Sequence, residues 1–216
     1  RAGKNLVGSF HAPRAVFADS DTLATLPDAE RVQGLVEAFK HGAILDAAYL
    51  DWLTTAADRL LAVDTETATE AIVRSVRIKA DVVTRDEREG GVRQVLNFGH
   101  TVGHALEAAT GYAMGHGTAV AAGMLLEAEL GERLGITEGG TRAQIASSLS
   151  RLGLSLDSVP SVDPEAAMGF LASDKKARSG RPRYVLLRRL GEVEDEEGWS
   201  REIPDSLVRD VLAEIA

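Results

Sequence analysis

The sequence predicts a mostly α-helical, multi-helix domain with a short N-terminal strand and a small β-hairpin near the C-terminus, and three observations predict it. Apolar residues recur every three to four positions over most of the chain from Asp28 onward. Beyond a short run near the N-terminus, only RPRYVLLRRLGEVEDEEGWSREIP (181–204) reads as β structure. No GxGxxG fingerprint and no alternation of strands and helices occurs, so a complete nucleotide-binding sheet is not expected.

Taken in order, residues 14–18 (RAVFA) predict a short strand and residues 19–27 a turn-rich connection. From Asp28 to Ile44 the spacing of Leu35, Val36, Phe39 and Ala43 predicts a helix. Further helices are predicted over 46–61 and 65–84, the second stopped by the charged, glycine-bearing turn DEREGG (86–91). Two helices follow, separated near Gly111–Gly115. Thr141 is the expected N-cap of a helix that Gly153 ends. A helix over 163–173 carries Pro164 in its first turn, 181–204 predicts a hairpin, and 205–215 predicts the last helix.

Composition narrows the function classes. The chain has 216 residues, a net charge of −9, 44% apolar and 26% charged residues, as a globular protein in water does. That charge argues against a nucleic-acid or anionic-membrane partner, because either favours a basic face. With no cysteine, any metal site must use His, Asp or Glu, and the lack of cysteine fits a cytoplasmic location. No apolar run reaches the roughly 18 residues that span a bilayer. The chain opens on Arg1 and runs directly into a helical domain, which predicts the C-terminal part of a larger protein.

Asn97–Met124, NFGHTVGHALEAATGYAMGHGTAVAAGM, holds three of the five histidines. His100 and His104, four apart, share one helix face, and His116 opens the next helix. Imidazole is the commonest metal ligand, and three imidazoles with a carboxylate suit zinc or cobalt. The alternative is two core histidines and a cap. Glu37 lies beside the apolar positions Leu35, Val36 and Phe39, where a carboxylate is costly unless paired or metal-bound. Lys4, Lys40, Lys79, Arg93, Lys175 and Lys176 are isolated cations, each by itself an ordinary surface residue. Glycines around both histidine motifs permit close approach of backbone or ligand.

The segments KNLVGSFHAP, GLVEAFKHG, KADVVTRDEREGGVRQVLNFGHTVGHALE, HGTAVAAGM and DKK, in this order and spacing, closely resemble the C-terminal part of the 3-dehydroquinate synthase family. The resemblance implies that residues 1–27 are the residual edge of an N-terminal NAD-binding domain and its connection, and that 28–216 form the helical metal- and substrate-binding domain. It implies that Glu37, His100 and His116 ligate a divalent metal, zinc or cobalt, and that His104 takes a catalytic role near the substrate phosphate. Lys40, Lys79, Arg93 and Asn97 match residues that hold the substrate's carboxylate, hydroxyls and phosphate, and Lys175 or Lys176 joins them. Lys4 and Asn5 match the nucleotide and substrate edge, and Thr22, Leu23, Ala24 and Thr25 match the part of this domain that touches NAD.

The implied activity converts 3-deoxy-D-arabino-heptulosonate 7-phosphate to 3-dehydroquinate and phosphate, with NAD as a catalytic cofactor and a homodimer as the full-length form. Other sugar phosphate cyclases and metal-dependent polyol dehydrogenases remain rivals, as does an inert metal-binding fragment, since most of the family's NAD site lies outside these residues.

Overall fold

The computed structural model describes residue 11 and residues 13–154, 162–173 and 181–214. Helices dominate, as the apolar periodicity predicts: α1 (Asp28–Leu45), α2 (Ala47–Thr55), α3 (Ala57–Leu61), α4 (Thr65–Arg85), α5 (His100–Ala109), α6 (His116–Arg133), α7 (Thr141–Arg151), α8 (Pro164–Ser173) and α9 (Asp205–Ala213). Short 3-10 segments cover Ser20–Thr25 and Val92–Asn97. The predicted hairpin is present but small: β1 (Leu187–Arg189) pairs antiparallel with β2 (Glu192–Val193). Its turn docks on the α1–α2 junction, where the Gly191 N–H donates to the Ala43 carbonyl at 2.7 Å.

The spine is α6. Thirteen of its 18 residues are buried, so it is apolar on all sides and packs between two cores. Val120, Ala121 and Met124 face the first core, with Phe39, Tyr49, Leu53 and Ile145. Ala119, Ala122 and Leu126 face the second, with Val102 and Leu106 of α5, Leu171 of α8 and Val208 of α9. Glycine sets how closely α5 and α6 approach. A Cβ at Gly103 would lie 3.0 Å from the Ala119 carbonyl oxygen, and one at Gly123 only 1.9 Å from that of Gly99.

Aspartates mark several helix boundaries. Asp46 closes α1 and caps α2, accepting the Tyr49 N–H at 2.8 Å. Asp64 caps α4 through Thr67, and Asp86 ends that helix. Three local expectations need correction. Residues 14–18 form no strand: no described residue pairs with them, and Val16 and Phe17 are 80% and 94% exposed. A strand without a partner edge leaves its backbone groups to water, and composition cannot supply that edge. The helix expected over 46–61 is divided at Ala56, although i→i+4 bonds run through it (Ala56 N–H to Trp52 O, Leu60 N–H to Ala56 O). Finally, Gly140 (φ 91°) is the N-cap of α7. The Thr141 hydroxyl instead donates to the Glu138 carbonyl at 2.7 Å.

Candidate functional site

His100 and His116 are the first residues of α5 and α6, and the caps before them, Gly99 and Gly115, carry no side chain. The orphan N–H groups at both helix starts are met from neighbouring helices. Glu127 of α6 accepts the Gly99 N–H at 2.9 Å. Gln33 of α1 accepts the Thr118 N–H at 2.9 Å and donates to the Thr118 hydroxyl at 3.0 Å. The Gln33 backbone presses so close that a Cβ at Gly117 would lie 2.7 Å from its Cα. Glu37 lies one turn beyond Gln33, so the same clamp brings Glu37 to the two histidines. Two positive helix ends thereby converge on one carboxylate.

Around Glu37 the ligand atoms gather. Its Oε1 lies 3.3 Å from His100 Nε2 and 3.8 Å from His116 Nε2, and the three donor atoms lie within 4.8 Å of one another. Oε1 is buried and has no hydrogen-bond donor. An ion with bonds of about 2.0–2.1 Å in tetrahedral geometry separates its ligands by about 3.4 Å, so the set fits a divalent metal. Burial alone would raise the Glu37 carboxyl, but the His100 contact and the Lys40 ammonium, 2.7 Å from Oε2, hold it well below the ordinary carboxylate range.

His104, Glu107 and His116 form a second group within 4.8 Å. The same ring therefore faces two ways: His116 Nδ1 lies 3.3 Å from Glu107 Oε2, while Nε2 faces Glu37. A carboxylate at the far ring nitrogen fixes the tautomer and turns Nε2 toward an ion, which favours the Glu37 set. His104 stands next to both ligand rings, with centroids 5.4 Å from His100 and 5.9 Å from His116.

On the other side of Glu37 opens a cavity of about 190 Å³, lined by Lys40, Lys79, Arg93 and Asn97 together with Glu37, His41, Glu89 and His100. Four positions that lie apart in sequence thus share one wall. The DEREGG turn carries part of it: the Asp86 carboxylate accepts N–H groups from Gly91 (2.7 Å), Arg93 (3.0 Å) and Gly90 (3.1 Å), and these bonds hold its carboxyl low. Arg93 is oriented by donating to the Glu87 carbonyl, and Asn97 by donating to Glu89 Oε1 at 2.8 Å.

Thr22, Leu23, Ala24 and Thr25 lie apart from this wall, in the 3-10 segment packed on α4. The Thr22 and Thr25 hydroxyls donate to the carbonyls of Asp19 and Thr22, and Leu23 lines an apolar groove against α1 and α4. Lys4, Asn5, Lys175 and Lys176 lie outside the described residues. Sequence reading missed Gln33, His41, Glu107 and Glu127. Only Glu107, directly before the helix-ending pair Ala108–Ala109 and on the His104 face, left a spacing signal.

Comparison with known proteins identifies the family. Residues 34–177 match the family described as 3-dehydroquinate synthase C-terminal, and residues 1–33 match 3-dehydroquinate synthase N-terminal. A 3-dehydroquinate synthase of Azotobacter vinelandii is 48% identical over 192 residues, and one of Acidithiobacillus ferrooxidans 44% identical over 190. Each alignment covers 88% of this chain and 52% of the relative, so the chain spans about half the length of the curated relatives it matches. A crystal structure of 2-deoxy-scyllo-inosose synthase, complexed with carbaglucose-6-phosphate, NAD+ and Co2+, superposes with a TM-score of 0.88 at 25% identity, covering 98% of this chain and 59% of that one. With both family descriptions matching in chain order, and with the ligand cluster and cation-lined cavity on the matched residues, the chain belongs to the 3-dehydroquinate synthase family.

Proposed function

We propose that the protein bearing this chain is a 3-dehydroquinate synthase, converting 3-deoxy-D-arabino-heptulosonate 7-phosphate to 3-dehydroquinate and phosphate with NAD and a divalent metal. The observation that carries the reading is the position of Glu37, whose Oε1 meets two imidazoles while Oε2 borders a cavity walled by cations. Glu37, His100 and His116 hold the ion, zinc or cobalt. Lys40, Lys79 and Arg93 supply the fixed positive charge that a phosphate and a carboxylate require, and Asn97 orients a hydroxyl. His104, beside both ligand rings, relays protons near the leaving phosphate. When bound, NAD supplies a reversible hydride acceptor and the ion lowers the pKa of a coordinated alcohol.

Residues 1–27 form the edge of the NAD-binding half in this reading, with Lys4, Asn5 and Thr22–Thr25 toward the nucleotide, and 28–216 form the ion and substrate half. Lys175 or Lys176 completes the anion contacts. The 216 residues themselves bind ion and substrate, while turnover belongs to the whole protein, a cytoplasmic homodimer. No helix among the described residues is long and apolar enough to cross a membrane. The rival assignment to a polyol dehydrogenase needs no phosphate-binding wall, and the cluster of Lys40, Lys79 and Arg93 on one cavity speaks against it.

The test is phosphate release from the heptulosonate phosphate by the whole protein with NAD and zinc or cobalt, beside ion binding by equilibrium dialysis. His100→Ala and Glu37→Ala are expected to lose the ion, and His104→Ala to keep it while turnover slows. Loss of the ion in His104→Ala would refute the division of roles.

A further inference from the structure

His41 sits at the cavity wall, 4% exposed, and its Nε2 is buried without a hydrogen-bond partner. Its other ring nitrogen, Nδ1, lies 2.7 Å from the Ser75 hydroxyl oxygen. A chain of bonds behind the ring decides which nitrogen bears hydrogen. The Ala71 carbonyl can only accept, so the Tyr49 hydroxyl, 2.7 Å away, donates to it. The Ser75 side chain also bears on the Tyr49 hydroxyl, whose oxygen is then left to accept the Ser75 proton. With its proton committed, the Ser75 oxygen accepts from His41, which places the ring hydrogen on Nδ1. Nε2 is therefore a bare lone pair, and a buried one without a donor is costly.

We propose that His41 is the hydrogen-bond acceptor for a substrate hydroxyl, held in its Nδ1–H tautomer by the relay through Ser75, Tyr49 and the Ala71 carbonyl. This rests on the reading of the cavity as a sugar-phosphate site. The chemistry of the wall favours it. Lys40, Lys79 and Arg93 have only donors to offer, which suit a phosphate or carboxylate, and one Asn97 amide hydrogen goes to Glu89, so acceptors on this wall are confined to the carboxylates and the Asn97 oxygen. A polyhydroxylated ligand also needs acceptors for its O–H groups. His41 adds one, and an inorganic anion, which carries mainly acceptors, has little use for it. Specificity against an analogue lacking that hydroxyl follows, because the lone pair would then stay buried and unmet.

The experiment uses the 216-residue chain loaded with zinc and labelled with ¹⁵N-histidine, His41 being assigned by its absence in His41→Gln. Long-range ¹H–¹⁵N spectra are expected to show hydrogen on Nδ1 and none on Nε2. Addition of 3-deoxy-D-arabino-heptulosonate 7-phosphate is expected to move Nε2 upfield, as a donated hydroxyl does, whereas inorganic phosphate leaves it in place. His41→Phe is expected to bind the sugar phosphate about tenfold more weakly, with phosphate affinity unchanged and His41→Gln, which keeps an acceptor, within about threefold of wild type. Hydrogen on Nε2, or a bound sugar phosphate that leaves Nε2 unmoved, overturns the assignment while leaving the proposed reaction intact. A wild-type chain that binds no sugar phosphate refutes the substrate reading and this assignment together. The wild-type spectra decide the tautomer even if His41→Phe does not fold.

Discussion

Gly123→Ala places a methyl carbon 1.9 Å from the Gly99 carbonyl oxygen, 2.8 Å from its carbon and 2.9 Å from the Gly103 nitrogen. All three are backbone atoms, so no change of rotamer relieves the clash. Carbon and oxygen rest about 3.4 Å apart in such contacts, so α5 and α6 must separate by about 1.5 Å at this point. Overpacking of this kind costs about 1–3 kcal/mol. Moving Gly99 also stretches its bond to Glu127, worth about 1 kcal/mol more, for a total of about 2–4 kcal/mol. His100 follows Gly99 in the chain, so the shift reaches a ligand set whose distances tolerate about 0.2 Å. Urea unfolding followed by circular dichroism is expected to show the loss in stability, and chelator competition a fall in zinc affinity of at least about a hundredfold. Gly169→Ala, in the middle of α8 with nothing within 4 Å of the added carbon, is the control and is expected to stabilise by up to about 1 kcal/mol. A Gly123→Ala chain within about 0.5 kcal/mol of wild type and unchanged in zinc affinity would refute this account of the helix crossing.

Two further substitutions probe the supports of the site. Glu107→Gln removes the carboxylate behind His116 Nδ1 and is expected to weaken zinc about 10- to 100-fold by chelator competition, with little loss of fold stability. Glu127 is fully buried, and burial pushes its carboxyl well above the ordinary range against the backbone bonds from Gly99, Val102 and Val185. A raised acid favours the folded state below its unfolded pKa of about 4.3, and that advantage is lost as pH rises toward the folded value. Relative to wild type, Glu127→Gln is therefore expected to gain unfolding free energy between pH 4.5 and 8, and a difference flat with pH would contradict the burial argument.

Periodicity made the helices legible, because a helix advertises its buried face every three to four residues. Glycine and aspartate marked most of the breaks. Two of the three places where local reading failed depend on partners. Residues 14–18 have strand-like composition but no edge to join among the described residues, and Gly140 takes the cap position that Thr141's hydroxyl suggested. At the site, His100 and His104 announce themselves by spacing, but the donor atoms that gather around His100 are those of Glu37 and His116. Glu37 reaches His100 because α1 crosses the starts of α5 and α6, a long-range arrangement carried by Gln33. Gln33, His41 and Glu127 read as ordinary helical residues in sequence. Their roles come from what stands opposite them, and nothing local encodes that.

The two oxygens of Glu37 face different chemistry: Oε1 meets the imidazoles of His100 and His116, and Oε2 meets the ammonium of Lys40. One rigid carboxylate thus belongs to two binding equilibria at once. An ion that draws charge toward Oε1 loosens the hold of Oε2 on Lys40 and releases that ammonium toward an incoming anion. By thermodynamic reciprocity, an anion that engages Lys40 must tighten the ion by the same factor. On the function proposed above, metal and substrate would then be cooperative ligands of a single side chain. On that reading the ion would be bound most firmly when the cavity beside it is full.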